Sequence, residues 1–209
     1  SGVPKIDKKS KLRACLGGDY ETHEMMGKLN AQQQAALEKV FGDAAKYDKT
    51  IIDNATSVAR ELGIRGDPDK FMSIVEVVAA HAKKSDNSFG TIQSFCAGIK
   101  SDLARIDNIA RSKSLKFADP YKALYHYRKH GEEFVNLCSP EFYVGKLPVD
   151  IRNNGSLFES RDVTTIAPNG SEELFRKKTY YMPDDSMLIV IEKGGAQTIS
   201  TIFKKIGGW

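Results

Sequence analysis

Residues 122–134 read KALYHYRKHGEEF: His126 and His130, Tyr125 and Tyr127, and the pair Arg128-Lys129 crowd onto about three turns of predicted helix, which stops at Gly131. Asp119-Pro120 just before it supplies an N-cap and a first-turn proline. Sequence upstream of this stretch has helical periodicity, and sequence downstream alternates with period two between turn signals. Chemistry is expected where those two textures meet.

Outward from there, the 209 residues suffice for one large or two small domains, and the change of texture near residue 115 favours two. With 41% hydrophobic and 28% charged residues the composition is globular, not disordered or fibrous. No window approaches the roughly 18 apolar residues of a membrane span, and SGVPKIDKKSKLR lacks the order of a signal peptide. Ser1-Gly2 reads as a cloning scar on a piece of a longer chain. Cys15, Cys96 and Cys138 lie far apart without ligand spacing, which argues against a disulfide framework and a zinc knuckle and for buried thiols. The net charge of +4 is modest, so local clusters matter more: Arg128-Lys129-His130, Arg176-Lys177-Lys178 and Lys204-Lys205. A charge run is ordinarily a solvated face, yet three runs around one small sheet suit a polyanion.

Residues 1–30 are expected to form an irregular arm broken by Pro4 and Gly17-Gly18. Helical patterns follow over 31–63, capped by Asn30, ended by Gly63 and divided in two by Gly42-Asp43. Others span 68–84, opened by Asp67-Pro68, and 89–112. These make a small bundle, where His23 and His81 have no visible chemical partner. Beyond Gly145 and the turn Asn153-Asn154-Gly155 come four predicted strands, 157–165, 174–181, 187–191 and 197–203, the last two joined at Gly194-Gly195. Short turns between consecutive strands imply an antiparallel meander with a helix on one face.

His126 and His130, four apart, share a helix face at a spacing that also suits zinc, but HYRKH lacks the glutamate of HExxH and no third ligand follows, so no metal is assigned. His126 reads as packing or capping. His130, at the helix end among cations, suits proton transfer as well as a dipole-stabilised structural role. In the last strand, Thr201 is expected to share a face with Ile199 and Phe203; its hydroxyl then needs a partner, although strand propensity alone also accounts for a threonine there.

Three motifs carry a resemblance: Tyr127–Phe134 (YRKHGEEF), Tyr180-Tyr181-Met182-Pro183-Asp184, and the hairpin MLIVIEKGG with Ile199–Lys204 (ISTIFK). In this order the run over about 115–206 resembles the C-terminal ribonuclease domains of bacterial polymorphic and contact-dependent inhibition toxins. They are similar to the superfamily that groups barnase, EndoU, colicin D-type and RelE toxins. Met-Pro-Asp stands where Asp-Pro is usual, and Lys205 where proline is frequent. The patterns predict an α+β chain, a helical module over 1–115 and then, over 116–209, helices packed on a four-stranded or larger antiparallel sheet; the resemblance implies that the second part is a nuclease domain, and position before such a domain implies delivery, uptake or partner binding for the first. The resemblance implies a metal-independent endoribonuclease without cofactor, acting on RNA such as tRNA. Its other implications are a cognate immunity protein, and delivery as an effector into a target cell's cytoplasm. For that reaction His130, Thr201, Lys178 and Lys129 are expected to be catalytic, and Arg161, Tyr181, Tyr127 and Lys204 to bind substrate. RNA supplies its own 2′-hydroxyl nucleophile, so the protein must move protons and neutralise a pentacoordinate phosphate. The other reading is a non-enzymatic module that binds protein or RNA.

Overall fold

The computed structural model describes residues 49–64, 67–84, 90–134, 139–166 and 170–205. The expected N-terminal arm, the helical pattern before residue 49, His23, Cys15 and Cys138 lie outside them. The chain divides into two compact units, residues 1–97 and 98–209, so the division falls inside a helix and not at the change of texture near 115.

Described residues of the first unit are mainly helical. Helix α1 (Lys49–Glu61) ends as predicted at Gly63, whose φ of +70° only glycine adopts without strain. There the Ile64 N–H donates to the Ala59 carbonyl and the Gly63 N–H to Arg60, which satisfies carbonyls a helix end leaves unpaired. Helix α2 (Pro68–Lys84) starts on Asp67, whose carboxylate accepts the Lys70 N–H, and buries the predicted stripe of Phe71, Ile74, Val75, Val78 and Ala79 against α1. His81 packs edge-on to Phe95, and Cys96 is a buried thiol 3.9 Å from the Val58 carbonyl. Helix α3 (Ile92–Ala110) begins two residues after Gly90, with Thr91 capping the Ser94 N–H.

The second unit is a mixed sheet with helices on one face. After α3 come strand β1 (Lys116–Phe117), helix α4 (Pro120–His130) and a tight turn of 3-10 helix, Gly131–Glu133. A π-helical turn, Phe142–Lys146, then runs into helix α5 (Leu147–Asn154). Strands β2 (Ser156–Ile166), β3 (Glu172–Tyr181), β4 (Ser186–Lys193) and β5 (Ala196–Lys204) complete it. The last four form the expected antiparallel meander, but the sheet has a fifth strand, in order β1-β5-β4-β3-β2, and β1 pairs parallel to β5. Two residues carry no periodicity, so nothing in the sequence of β1 announces that pairing. The β4–β5 turn uses Gly194 and Gly195 at φ of +58° and +82°, the left-handed pair a two-residue hairpin requires.

One irregularity fixes which side chains share a face. The β4–β5 register pairs Ile189 with Thr201 and Val190 with Ile199, so Ser200 is an extra residue in a bulge. Ile199 and Ile202 therefore fall on one face with Leu188 and Val190, all buried, while Thr201 and Phe203 turn to the other, half-buried face. The expectation that Ile199, Thr201 and Phe203 share a face is corrected by that bulge: strict alternation fails by one residue. Leu124 of α4, Tyr143 and Ile151 of α5 form the fully buried core with Leu188 and Ile202, each worth roughly 1.5–3 kcal/mol of burial. Phe117 stacks on Tyr143, and the Tyr143 hydroxyl donates to the Ile202 carbonyl.

Candidate functional site

Helix α4 is built to deliver His130 to the free edge of β5. Asp119 caps it, accepting from the Tyr121 and Lys122 N–H groups at 2.8 and 3.0 Å, with Pro120 in the first turn as predicted. Ala123, Leu124 and His126 are its buried face. Gly131 does not end it through a left-handed cap: its φ is −56°, it is buried, and the chain tightens into the turn Gly131–Glu133 before Phe134 becomes extended. That tightening carries the Glu133 side chain back beneath His130. The Glu133 carboxylate oxygens lie 2.7 and 3.1 Å from His130 Nδ1, and one of them accepts the Lys204 N–H at 3.1 Å.

His130 also lies beside Phe203, ring centres 5.9 Å apart. Phe203 shares its sheet face with Thr201, two residues earlier, so His130 reaches the β5 edge beside the residue that follows Thr201 on that face. Across that face run two rows: Thr201, Ile189 and Thr179, then Phe203, Met187 and Tyr181. Tyr181 is two strands from Phe203, roughly 10 Å, and its hydroxyl donates to Asp185 at 2.8 Å. Arg161 is on the same face at the far strand, roughly 14 Å across from β5, and pairs with Glu159 at 3.1 Å.

Other predicted residues are placed elsewhere. Lys178 pairs with Val190 across the strands and so lies on the opposite face to Thr201, 2.8 Å from the Glu192 carboxylate. That hydrogen bond holds its ammonium above the usual lysine range. Its neighbour Lys177, paired with Ile191 and Arg161, is the basic residue of the run on the Thr201 face. Lys129 is exposed, 5.9 Å over the Tyr125 ring. Tyr127 is half-buried and packs on Tyr143, ring centres 5.8 Å apart. Arg128 is committed to Asp102 of α3 at 2.7 Å, which removes it from the exposed basic run. Lys204 Nζ lies 3.9 Å from Asp184 and 5.9 Å from the Phe134 ring. Burial raises the Asp184 pKa, but hydrogen bonds from Ser186 and the charge of Lys204 outweigh it and hold the carboxyl below its usual range.

His126 is a structural residue in this geometry. It sits between Phe117 and His130, ring centres 5.3 and 6.2 Å away, with Nδ1 buried and without a hydrogen-bond partner. Burial, reinforced by His130, Lys129 and Lys122, lowers its pKa to about 3, so it is neutral at pH 7. The two histidine rings stack with 18° between planes instead of converging on one point, and among the described residues no three His, Cys, Asp or Glu side chains form a metal-holding group.

Glu133 is the residue the sequence reading passed over. The available signal was a carboxylate three residues after a histidine at a helix end, a spacing that brings the two together on consecutive turns. Lys177 was hidden because alternation does not say which of two adjacent lysines faces the helices. No described helix is long and apolar enough to cross a membrane. No protein family, curated protein or solved structure matches the chain.

Proposed function

We propose that the second unit is a metal-independent endoribonuclease, the toxin domain of a delivered bacterial effector whose activity a cognate immunity protein restrains. One observation carries the reading: an imidazole is held at the edge of β5 beside Phe203, which shares its sheet face with Thr201. In RNA the 2′-hydroxyl loses its proton and attacks the adjacent phosphorus, and the 5′-oxygen leaves with a proton, giving a 2′,3′-cyclic phosphate and a 5′-hydroxyl. His130 supplies one of those proton transfers. The Thr201 hydroxyl donates to a phosphoryl oxygen, and cations on its face, Lys177 foremost with Arg161 further out, neutralise the phosphate chain. Unpaired bases, as in a tRNA loop, stack on Phe203 and Tyr181.

Purified chain is expected to cut RNA in EDTA. His130→Ala removes nearly all cleavage while the fold persists, and Thr201→Val, which keeps the β-branched shape, lowers the rate because only the hydroxyl is lost. Retained activity in His130→Ala refutes the assignment, and loss of activity in EDTA refutes metal independence. A second reading, a docking module, is favoured by Leu157 and Phe158, adjacent at the start of β2 and 53% and 61% exposed. It takes precedence if the chain binds RNA or protein without turnover.

A further inference from the structure

The Glu133 carboxylate touches two elements at once: His130 Nδ1 at the end of α4, through both oxygens, and the Lys204 backbone N–H at the end of β5. We propose that Glu133 is a positioning residue for the nuclease reaction, fixing both the tautomer of His130 and its place against the strand that carries Thr201. The inference rests on the nuclease reading for its catalytic purpose, but its geometry does not.

An ionised carboxylate only accepts hydrogen bonds, so Nδ1 must carry the proton in this contact. In the neutral ring Nε2 then has the lone pair, and Nε2 is the nitrogen that takes the proton of an attacking hydroxyl or, once charged, returns one to a leaving oxygen. Glu133 is 18% and His130 20% exposed at the side chain, so the pair is sheltered enough to hold a defined orientation. Position is set by the second bond. Strand β1 covers the β5 edge only at Thr198 and Ile199; beyond it the Tyr143 hydroxyl takes the Ile202 carbonyl and Glu133 takes the Lys204 N–H. Two side chains thus replace a missing neighbour strand, and the second of them is the one bound to His130. The ring is thereby indexed to the backbone one residue past Phe203 and three past Thr201. Glu133 touches no reacting atom in this account.

Glu133→Gln tests it. The amide oxygen can still accept the Lys204 N–H, but the amide NH₂ then faces Nδ1 and favours the opposite tautomer, with the proton on Nε2. Imidazole ¹⁵N spectra of the full chain above neutral pH are expected to report His130 protonated at Nδ1 in the wild type and at Nε2 in Glu133→Gln. The variant's kcat is expected to fall about 100-fold with little change in KM, as for a catalytic group displaced without loss of substrate contacts. Glu141→Gln, which removes the carboxylate paired with Arg105, serves as control: stability changes, while tautomer and kcat do not. A wild-type His130 protonated at Nε2, or a tautomer unmoved by Glu133→Gln, overturns the proposal, as does a matched fall in both variants. If the tautomer switches but wild-type chain leaves RNA uncut, the nuclease reading fails and takes the catalytic purpose of the contact with it.

Discussion

Acid should destabilise the second unit through His126 in particular. In the folded chain its pKa is held near 3 by burial, whereas in the unfolded chain it returns to about 6.5. Because the folded pKa is depressed, the unfolded state binds the extra proton, so stability is complete above pH 6.5 and falls as pH drops toward 3. At about 1.4 kcal/mol per pH unit, the 1.5 units between 6.5 and pH 5 correspond to a loss of about 2 kcal/mol. That is a large fraction of the stability of a typical domain. His126→Phe should abolish this component. Its neighbours Phe117 and Tyr125 are rings, and the variant also deletes the buried, unpartnered Nδ1, so at pH 7.5 it should be at least as stable as wild type. The assay is amide hydrogen exchange at Leu188, Val190 and Ile202, corrected for intrinsic rates, since the slowest core amides report the opening free energy of the unit. The wild type should lose about 2 kcal/mol more than His126→Phe between pH 7.5 and pH 5. Equal pH dependence in the two chains would show that His126 is not buried neutral and would refute the reasoning.

Two further outcomes follow from the sheet. Lys177→Ala should lower kcat/KM on RNA about tenfold, the value of one well-placed charge contact, whereas Lys178→Ala, on the opposite face and already paired with Glu192, should change it less than twofold; the reverse order would mean that the face assignment is wrong. Gly155→Ala should destabilise by about 1–3 kcal/mol, read as a lower thermal midpoint, because a Cβ there would lie 2.5 Å from the Ile151 carbonyl oxygen and 2.9 Å from that of Tyr181, both backbone atoms that cannot step aside. An unchanged midpoint would show that α5 and β3 do not approach this closely.

Local signals proved reliable wherever a short-range rule governs. Asp67 and Asp119 cap helices in the structure, Gly63 terminates one, Gly194-Gly195 makes the hairpin turn, and the four consecutive strands pair in the order predicted. Each depends on backbone conformations or hydrogen bonds that a few adjacent residues decide. Residues 128–130 show where this stops. From sequence, Arg128, Lys129 and His130 are one basic run; in the fold, Arg128 is tied to Asp102, Lys129 is exposed over Tyr125, and His130 is tied to Glu133. Neighbours on a helix point about 100° apart, so each meets a different environment.

By itself the sequence determined the α+β class, the helix that ends in His130 and the order of the last four strands, because period, caps and turns are local properties of the chain. Tertiary structure alone decided the rest. One bulged residue at Ser200 turned Thr201 and Phe203 together away from the face of Ile199; cross-strand register put Lys177, not Lys178, on their face; and a parallel pairing of only two residues left the end of β5 open for Tyr143 and Glu133. Register, edge and face are relations between segments far apart in the chain, and no window of sequence contains both partners.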